Sequence, residues 1–273
     1  MGDLEKAVEK IKTMKIRGAR KIAIVGVKAI EKIVKKNGFG REFRKACNQL
    51  IKARPTAVAL YNAVEKIKKE KTMESIDNMN YYLENIGRMI GFINYNVIKN
   101  GNTILTHCHS EDVVEFLKTA KEKKMKFKVI VTETRPLYQG TITAKELSDS
   151  DIPVTYVIDS AAGYFVKDID LMIFGCDAVR KEGIVNKIGT YPLAVVAKEN
   201  KIPVYFVGGT IKFDKRKEIK IEERNPEEII EKNKLKKCEI RNPVFDITPW
   251  KYVTAVISEK GVLKPKQILR LLK

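Results

Sequence analysis

The chain has 273 residues, of which 44% are hydrophobic and 32% are charged, and this composition excludes a disordered protein. Lysine and arginine number 53 against 34 for aspartate and glutamate, so the formal net charge of +19 favours an anionic partner such as a phosphorylated substrate. The basic residues are spread along the chain and are not interleaved with aromatic ones, so nucleic acid is not an expected partner.

Residues 1–100 are predicted to form an N-terminal helical domain. Leu4, Val8 and Ile11 recur with helical spacing, and no segment of this region alternates with period two. Glycines and the pair Arg54-Pro55 separate the further helices. These helices are predicted over 21–36, 42–53, 57–68 and 73–99.

From about Gly101 short apolar runs alternate with amphipathic stretches. The runs predict strands over 103–107, 127–131, 154–158, 171–174 and 204–207. Helices are predicted between them over 112–124, 143–150 and 193–200. This alternation indicates an α/β protein with a Rossmann-like parallel-sheet domain over 101–273. Ligands of such a sheet bind beyond the C-terminal ends of the strands.

Cys108 follows the first predicted strand and lies between the two histidines of the chain, His107 and His109. A helix is predicted to begin near Ser110, and a helix N-terminus or a nearby cation lowers the pKa of a thiol and makes it reactive. A buried structural cysteine fits the same pattern, and the residues alone leave both interpretations open.

Asp177 follows the fourth predicted strand, where a carboxyl is costly unless it is paired or functional. It is a candidate general acid or base, and capping of the next turn is an equal alternative. After the second strand, Arg135 offers a planar fork for phosphate and Gln139 a polar side chain, although an ordinary surface turn is the commoner arrangement.

Asn186, Lys187 and Gly189 precede Thr190, which suits a helix N-cap, and Pro192, which suits the first helical turn. Free N–H groups at such a helix start would form an anion site, and a capped helix with a solvated lysine is the alternative. The loop matches neither the GxxxxGK[ST] nor the GxGxxG pattern, which gives nucleotide readings little support.

Two arginines of the helical region also lie beside predicted helix starts. Arg17 is followed by Gly18 and Ala19, and Arg54 by a proline. Taken alone, each is explained as the end of a helix. Together with Arg135 and Lys187 they suggest a ligand with more than one anionic group.

The cysteines are widely spaced without a CxxC pair, so we expect reduced thiols and no metal site. With neither a secretory leader nor an apolar run of about 18 residues, we expect a cytoplasmic protein without a membrane partner.

Eight segments together resemble one superfamily. They are IRGA at 16–19, ARPTAVAL at 53–60, ILTHCHS at 104–110, TETRPLYQGTITAKEL at 132–147, GCDAV at 175–179, NKIGTYPLAVVAK at 186–198, IPVYFV at 202–207 and NPVFDITP at 242–249. The superfamily contains methylthioribose-1-phosphate isomerase, archaeal ribose-1,5-bisphosphate isomerase and the alpha, beta and delta regulatory subunits of initiation-factor two B. The run THCHS followed by TETRP is most similar to the archaeal bisphosphate isomerases.

The resemblance implies conversion of α-D-ribose 1,5-bisphosphate to ribulose 1,5-bisphosphate by Cys108 and Asp177. Our hypothesis is that protonated Asp177 donates to the ring oxygen while Cys108, as thiolate, moves the C2 proton to C1. A dry pocket would raise the pKa of Asp177, and cations with a helix dipole would lower that of Cys108. The opposite assignment and a hydride shift stay open.

The resemblance also assigns binding roles. Arg17, Gly18, Ala19, Arg54 and Arg135 would hold the phosphates, whereas Gln139, Asn186 and Lys187 would bind sugar hydroxyls or a phosphate. No cofactor is implied, AMP is a possible allosteric activator, and a homo-oligomer, a dimer or hexamer, is expected. The apolar stretch 252–257 is a candidate for burial in that oligomer.

Two alternatives remain. One is a 5-methylthioribose-1-phosphate isomerase, which needs a single anion subsite. The other is a non-catalytic regulatory subunit that binds an initiation factor. The regulatory subunits usually lack the cysteine and aspartate that this chain carries at Cys108 and Asp177, which argues for an enzyme.

Overall fold

The computed structural model describes residues 2–13, 15–16, 18–218, 221–231, 234–235 and 237–273. It divides into two compact units. The first comprises Met1–Ile86 with Ile211–Asp214, and the second comprises Gly87–Thr210 with Lys215–Lys273. The domain division at residue 100 stays a prediction.

The first unit is helical, as its apolar spacing predicts. Its helices are α1 (Asp3–Lys12), α2 (Ala19–Asn37), α3 (Arg41–Ala53), α4 (Val58–Glu70) and α5 (Met73–Asn94), of which α5 belongs to the second unit from Gly87 onward. Their apolar faces share one core that includes Ile11, Ile22, Phe43, Leu60 and Leu83. Gly26 lets α2 approach α4, because a Cβ there would lie 2.3 Å from a methyl carbon of Leu60.

The second unit contains two sheets and four further helices in the described part of the chain. Its strands are β1 (Thr103–Thr106), β2 (Lys128–Thr132), β3 (Val154–Val157), β4 (Leu171–Gly175), β5 (Ala178–Val179), β6 (Gly183–Lys187), β7 (Val204–Val207), β8 (Phe245–Pro249), β9 (Ala255–Ser258) and β10 (Gly261–Leu263). Its helices are α6 (Glu111–Glu122), α7 (Gln139–Ser148), α8 (Thr190–Glu199) and α9 (Pro265–Leu271).

The larger sheet has seven strands in the order β10-β9-β7-β4-β1-β2-β3. Its pairs are parallel apart from β9 with β10. The chain winds outward from β1 to β3, then returns to the other side of β1 with β4. The neighbours β1 and β4 therefore flank a topological switch point, which is where open α/β sheets bind ligands. The predicted α/β class with N-terminal helices is confirmed.

The smaller sheet is antiparallel and has the order β5-β6-β8. Our sequence reading did not predict it. In its register Asn186 lies opposite Asp246, and Lys187 lies opposite Phe245. Two candidate site residues are thereby fixed by strand pairing and do not belong to a loop.

The stretch 252–257 corrects one expectation. Strand β9 lies between β7 and β10, and Ala255, Val256 and Ile257 are buried within the chain itself. These three residues need no second copy to cover them, so the prediction that an oligomer buries them is wrong. Among the described residues, none of the helices has the length and apolar content needed to cross a bilayer.

Candidate active site

Cys108 and Asp177 lie on the two sides of the switch point. Strands β1 and β4 run parallel with Ile104 opposite Leu171, so the segments that follow them leave the same edge of the sheet side by side. Gly175 permits this approach, because a Cβ there would lie 2.5 Å from Cβ of Ser110. The two candidate catalytic residues are therefore close, and the carboxylate of Asp177 acts on the pKa of the Cys108 thiol.

Two threonine hydroxyls hold the backbone of Cys108. The residue has φ of 69°, a conformation that side-chain-bearing residues rarely adopt. Its N–H donates to Oγ1 of Thr134 at 2.8 Å, and its carbonyl accepts from Oγ1 of Thr143 at 3.1 Å. Both main-chain groups are thus satisfied by side chains, which stabilises the sharp turn between β1 and the start of α6 at Glu111.

The Cys108 thiol is protonated in the free site. Burial raises its pKa to about 12 and outweighs Lys187, which lowers it, while Asp177 and Asp159 raise it further. The expectation of a thiol with a lowered pKa is therefore wrong for the free protein. Cys108 lies just before the N-terminus of α6, but this position does not bring the pKa of the thiol below its usual value. The first turn of that helix carries the acidic residues Glu111 and Asp112.

Lys187 is a buried cation at the end of β6. Burial lowers its pKa, and Cys108, Asp177 and Glu228 raise it. Arg224, a second cation of this unit, acts in the lowering direction. The neighbouring Asn186 is also buried and donates from Nδ2 to Oγ1 of Thr190 at 2.9 Å. The structure thus brings Lys187 into electrostatic range of both Cys108 and Asp177.

The N-terminus of α8 does not offer the free anion site that its sequence suggests. The Asp246 carboxylate in β8 accepts from the N–H of Gly189 at 2.8 Å and of Tyr191 at 3.1 Å. Gly189, rather than Thr190, is the N-cap. Burial raises the pKa of Asp246 to about 6, against the hydrogen bonds that lower it. A carboxylate of the chain itself therefore occupies the anion position.

Arg135 and Gln139 belong to the connection from β2 to α7. The Arg135 guanidinium donates from Nη1 to the Tyr138 hydroxyl at 2.7 Å and from Nη2 to the carbonyl of Ile229 at 3.0 Å. Gln139 opens α7, and its buried Oε1 has no hydrogen-bond partner among the described residues. An amide oxygen left in this state is available to a hydroxyl or amine of a ligand.

The remaining candidates lie in the first unit. Gly18 caps α2 with φ of 89°, Ala19 is the first residue of that helix, and Arg54 ends α3. Arg17 lies outside the described residues. The phosphate-binding roles of these four residues stay predictions.

Three side chains that support Cys108 and its surroundings had no predicted role. His107 is buried and bridges the Thr132 hydroxyl at 2.6 Å and the carbonyl of Ile188 at 2.8 Å. Thr134 and Asp159 hold the loop after β2. All four hydrogen bonds join residues distant in the chain, so no local pattern reveals them. No group of three or more metal-ligating side chains occurs among the residues described.

Comparison with known proteins gives consistent matches. The model of the Initiation factor 2 subunit family matches residues 15–265. A Methanocaldococcus jannaschii protein named ribose 1,5-bisphosphate isomerase is 41% identical, with coverage of 97% of this chain and 93% of its own length. A methylthioribose-1-phosphate isomerase of Acetivibrio thermocellus is 37% identical, with coverage of 93% and 86%.

The fold has a solved counterpart. A Pyrococcus horikoshii OT3 structure described as translation initiation factor eIF-2B superposes with a TM-score of 0.85 and is 31% identical. The match covers 99% of this chain and 98% of that one. The likeness therefore extends over both the helical and the sheet-containing unit.

Proposed function

This chain belongs to the Initiation factor 2 subunit family, and from that premise we propose that it is an aldose–ketose isomerase that converts α-D-ribose 1,5-bisphosphate to ribulose 1,5-bisphosphate. The observation that carries the proposal is the placement of Cys108 and Asp177 on the two sides of the switch point, with the buried Lys187 in range of both. Isomerisation of a phosphorylated sugar needs a proton donor, a proton acceptor and a cation that faces the negative charge of the sugar.

The chemistry starts from a locked ring, because the anomeric oxygen carries phosphate. In our mechanism the Asp177 carboxyl protonates the ring oxygen as its bond to C1 breaks. Cys108 then takes the C2 proton as the C1–C2 double bond forms. The C2 hydroxyl returns a proton to Asp177 as the ketone forms, and Cys108 delivers its proton to C1. Both side chains end as they began.

The protonation state of the free site sets a condition on this mechanism. In the free protein the Cys108 thiol holds its proton, because burial raises its pKa to about 12, whereas the mechanism starts from the thiolate. Entry of the sugar must therefore shift this proton from Cys108 to Asp177. Lys187 favours the shift, because its charge interacts more strongly with Cys108 than with Asp177 and lowers the pKa of the thiol.

Binding roles follow from the same proposal. Arg135 is proposed to hold a phosphate, and Gln139, Asn186 and Lys187 to bind sugar hydroxyls or a phosphate. Gln139 has a buried Oε1 without a hydrogen-bond partner among the described residues. Arg17, Gly18, Ala19 and Arg54 are also proposed to bind phosphate, as the family resemblance implies. We further propose a cytoplasmic homo-oligomer that AMP activates.

The test is direct turnover. Purified protein incubated with ribose 1,5-bisphosphate, with and without AMP, should yield ribulose 1,5-bisphosphate, detected by mass spectrometry and NMR. Cys108→Ser should abolish the product, whereas Cys238→Ser at an exposed cysteine should not. Absence of product under all these conditions would contradict the proposed function.

A second candidate, methylthioribose-1-phosphate isomerase, is favoured by the Acetivibrio thermocellus relative at 37% identity. The substrate of such an enzyme, 5-methylthioribose 1-phosphate, lacks the second phosphate of ribose 1,5-bisphosphate. A parallel assay with 5-methylthioribose 1-phosphate decides between them, because a site that binds both phosphates should make kcat/KM far higher for the bisphosphate. The reverse preference would establish the second candidate.

A further inference from the structure

We propose that Asp159 is a positioning residue for this reaction, because its carboxylate fixes the loop after β2 on which the conformation of Cys108 depends. The proposal rests on the proposed isomerase function for its kinetic readout. Asp159 follows β3 and is not among the site residues predicted from the sequence. The mechanism above gives it no role.

The Asp159 carboxylate binds two consecutive main-chain amides. Oδ1 accepts from the N–H of Thr134 and Oδ2 accepts from the N–H of Arg135, each at 2.8 Å. A charged acceptor makes such bonds stronger than those between neutral groups. Thr134 has φ of 62°, so the loop turns through a left-handed residue at the position that the carboxylate holds.

The held threonine in turn supports Cys108. Oγ1 of Thr134 accepts the N–H of Cys108 at 2.8 Å and donates to the carbonyl of Thr132 at 3.2 Å. Cys108 and Thr134 are both left-handed residues other than glycine, and a hydrogen bond joins them. A conformation of this kind is costly unless its surroundings impose it, and the chain of contacts from Asp159 imposes both.

His107 extends the same network to Ile188, which follows Lys187 at the end of β6. Burial lowers the pKa of His107, so the imidazole is neutral. Because the carbonyl of Ile188 can only accept, Nε2 of this neutral ring carries the proton, and Nδ1 accepts from the hydroxyl of Thr132. Asp159 lies 3.7 Å from its Nδ1 and remains a charged neighbour of the cysteine.

The charge of Asp159 gives the proposal a readout that a purely structural role would not move. The charged groups that act on Cys108 are Lys187 on β6, Asp177 after β4 and Asp159 after β3. Its titratable neighbours in the chain are His107, which is neutral, and His109, whose main chain contributes a hydrogen bond. Removal of the negative charge at Asp159 makes the thiol more acidic, because this carboxylate is one of the groups that raise its pKa. A higher thiolate fraction speeds alkylation.

The experiment compares Asp159→Asn, Thr134→Val and the control Asp168→Asn in a Cys238→Ser background, in which Cys108 is the one remaining cysteine not fully buried. Asp168 is exposed and lies in the same connection from β3 to β4. Iodoacetamide labelling at pH 9, resolved by peptide mass spectrometry, reports on Cys108, while Cys47 and Cys176 report on global opening. Turnover of ribose 1,5-bisphosphate gives kcat and KM.

For Asp159→Asn we expect Cys108 to be alkylated about 3- to 10-fold faster, with kcat reduced about 10- to 100-fold. Thr134→Val should reduce kcat without the faster alkylation, because it keeps the charge. Asp168→Asn should change neither. Unchanged kcat in both Asp159→Asn and Thr134→Val, or equal acceleration at all three cysteines in both, would overturn the proposal.

The two proposals fail separately. If the parent protein does not turn over the bisphosphate, the proposed function fails, and the alkylation rates still test the influence of Asp159 on Cys108. If the parent is active, and Asp159→Asn has the same kcat and the same rate of Cys108 alkylation as the parent, the positioning role fails and the proposed function stands.

Discussion

The two sheets of the second unit hold their polar side chains in different ways. In the parallel sheet, Cys108 follows a strand and lies in a sharp turn that threonine hydroxyls stabilise. In the antiparallel sheet, Lys187 and Asp246 lie within strands and are fixed by register. Asp177 joins the two, since it follows β4 and its N–H donates to the carbonyl of Val185 in β6 at 2.9 Å.

This difference separates the proposed tasks. A strand fixes the direction of a side chain through its pairing, which suits a cation whose function is to supply charge. A turn can bring a side chain to a point that no strand reaches, but it needs its own hydrogen bonds. We therefore expect substitutions at the ends of the parallel strands to affect kcat most, and substitutions in the small sheet to affect binding and pH dependence.

The largest effect is expected where a proton carrier is removed. Cys108→Ser and Asp177→Asn should each lower kcat at least about 10³-fold, because neither replacement can complete both proton transfers. Steady-state turnover of ribose 1,5-bisphosphate measures the loss. Cys238→Ser and Asp168→Asn are the matched controls, and activity within tenfold of the parent in either test variant would contradict the mechanism.

Removal of Lys187, the cation of the small sheet, should reduce activity less than removal of Cys108 or Asp177. Lys187→Met should weaken substrate binding and lower kcat/KM about 10- to 100-fold, since a buried charge is lost opposite an anionic sugar. It should also slow alkylation of Cys108, because Lys187 lowers the pKa of that thiol. Lys181→Met at an exposed lysine is the control. Faster alkylation in Lys187→Met would refute the assigned charge effect.

The pH dependence of stability separates Asp246 from the catalytic residues. Burial raises the pKa of Asp246 from 3.8 to about 6. A raised pKa means that the folded state binds the proton more tightly, so the contribution of Asp246 to stability is complete below pH 4 and is lost as the pH rises through 6. The free energy of unfolding of the parent, minus that of Asp246→Asn, should therefore be larger at pH 4 than at pH 7.

Denaturant unfolding at the two pH values measures that difference, which we expect to be on the order of 1 to 3 kcal/mol. The comparison of parent with variant removes the contribution of groups that both proteins share. A difference that is larger at pH 7 than at pH 4 would mean that Asp246 is held mainly as a hydrogen-bonded carboxylate.

The contrast between the sheets also explains what the sequence could predict. Strands β1, β2, β4 and β7 are largely buried on both faces, so they form apolar runs that periodicity reveals. The residues after them, Cys108 and Asp177, could therefore be selected from position alone. Strand β6 reads GIVNK and ends in two polar residues, and its partner β8 lies far along the chain, so no local pattern indicated the small sheet.

The protonation of the site lay beyond sequence reasoning for a related reason. The pKa of Cys108 depends on burial and on three charged residues from three separate segments. Likewise, the carboxylate at the start of α8 comes from Asp246, more than fifty residues after Gly189. A sequence shows which groups can titrate, but only the packing determines which charges they face.

The central claim is that a sugar bisphosphate binds between Cys108 and Asp177. The most direct test is whether the sugar protects Cys108 from alkylation in a variant that binds the sugar but cannot convert it. In Asp177→Asn, saturating ribose 1,5-bisphosphate should slow iodoacetamide labelling of Cys108 at least about tenfold and leave Cys238 unchanged, since a bound ligand excludes the reagent from its site alone. Equal labelling of Cys108 with and without the sugar, in a variant shown by calorimetry to bind it, would place the ligand elsewhere and contradict the account.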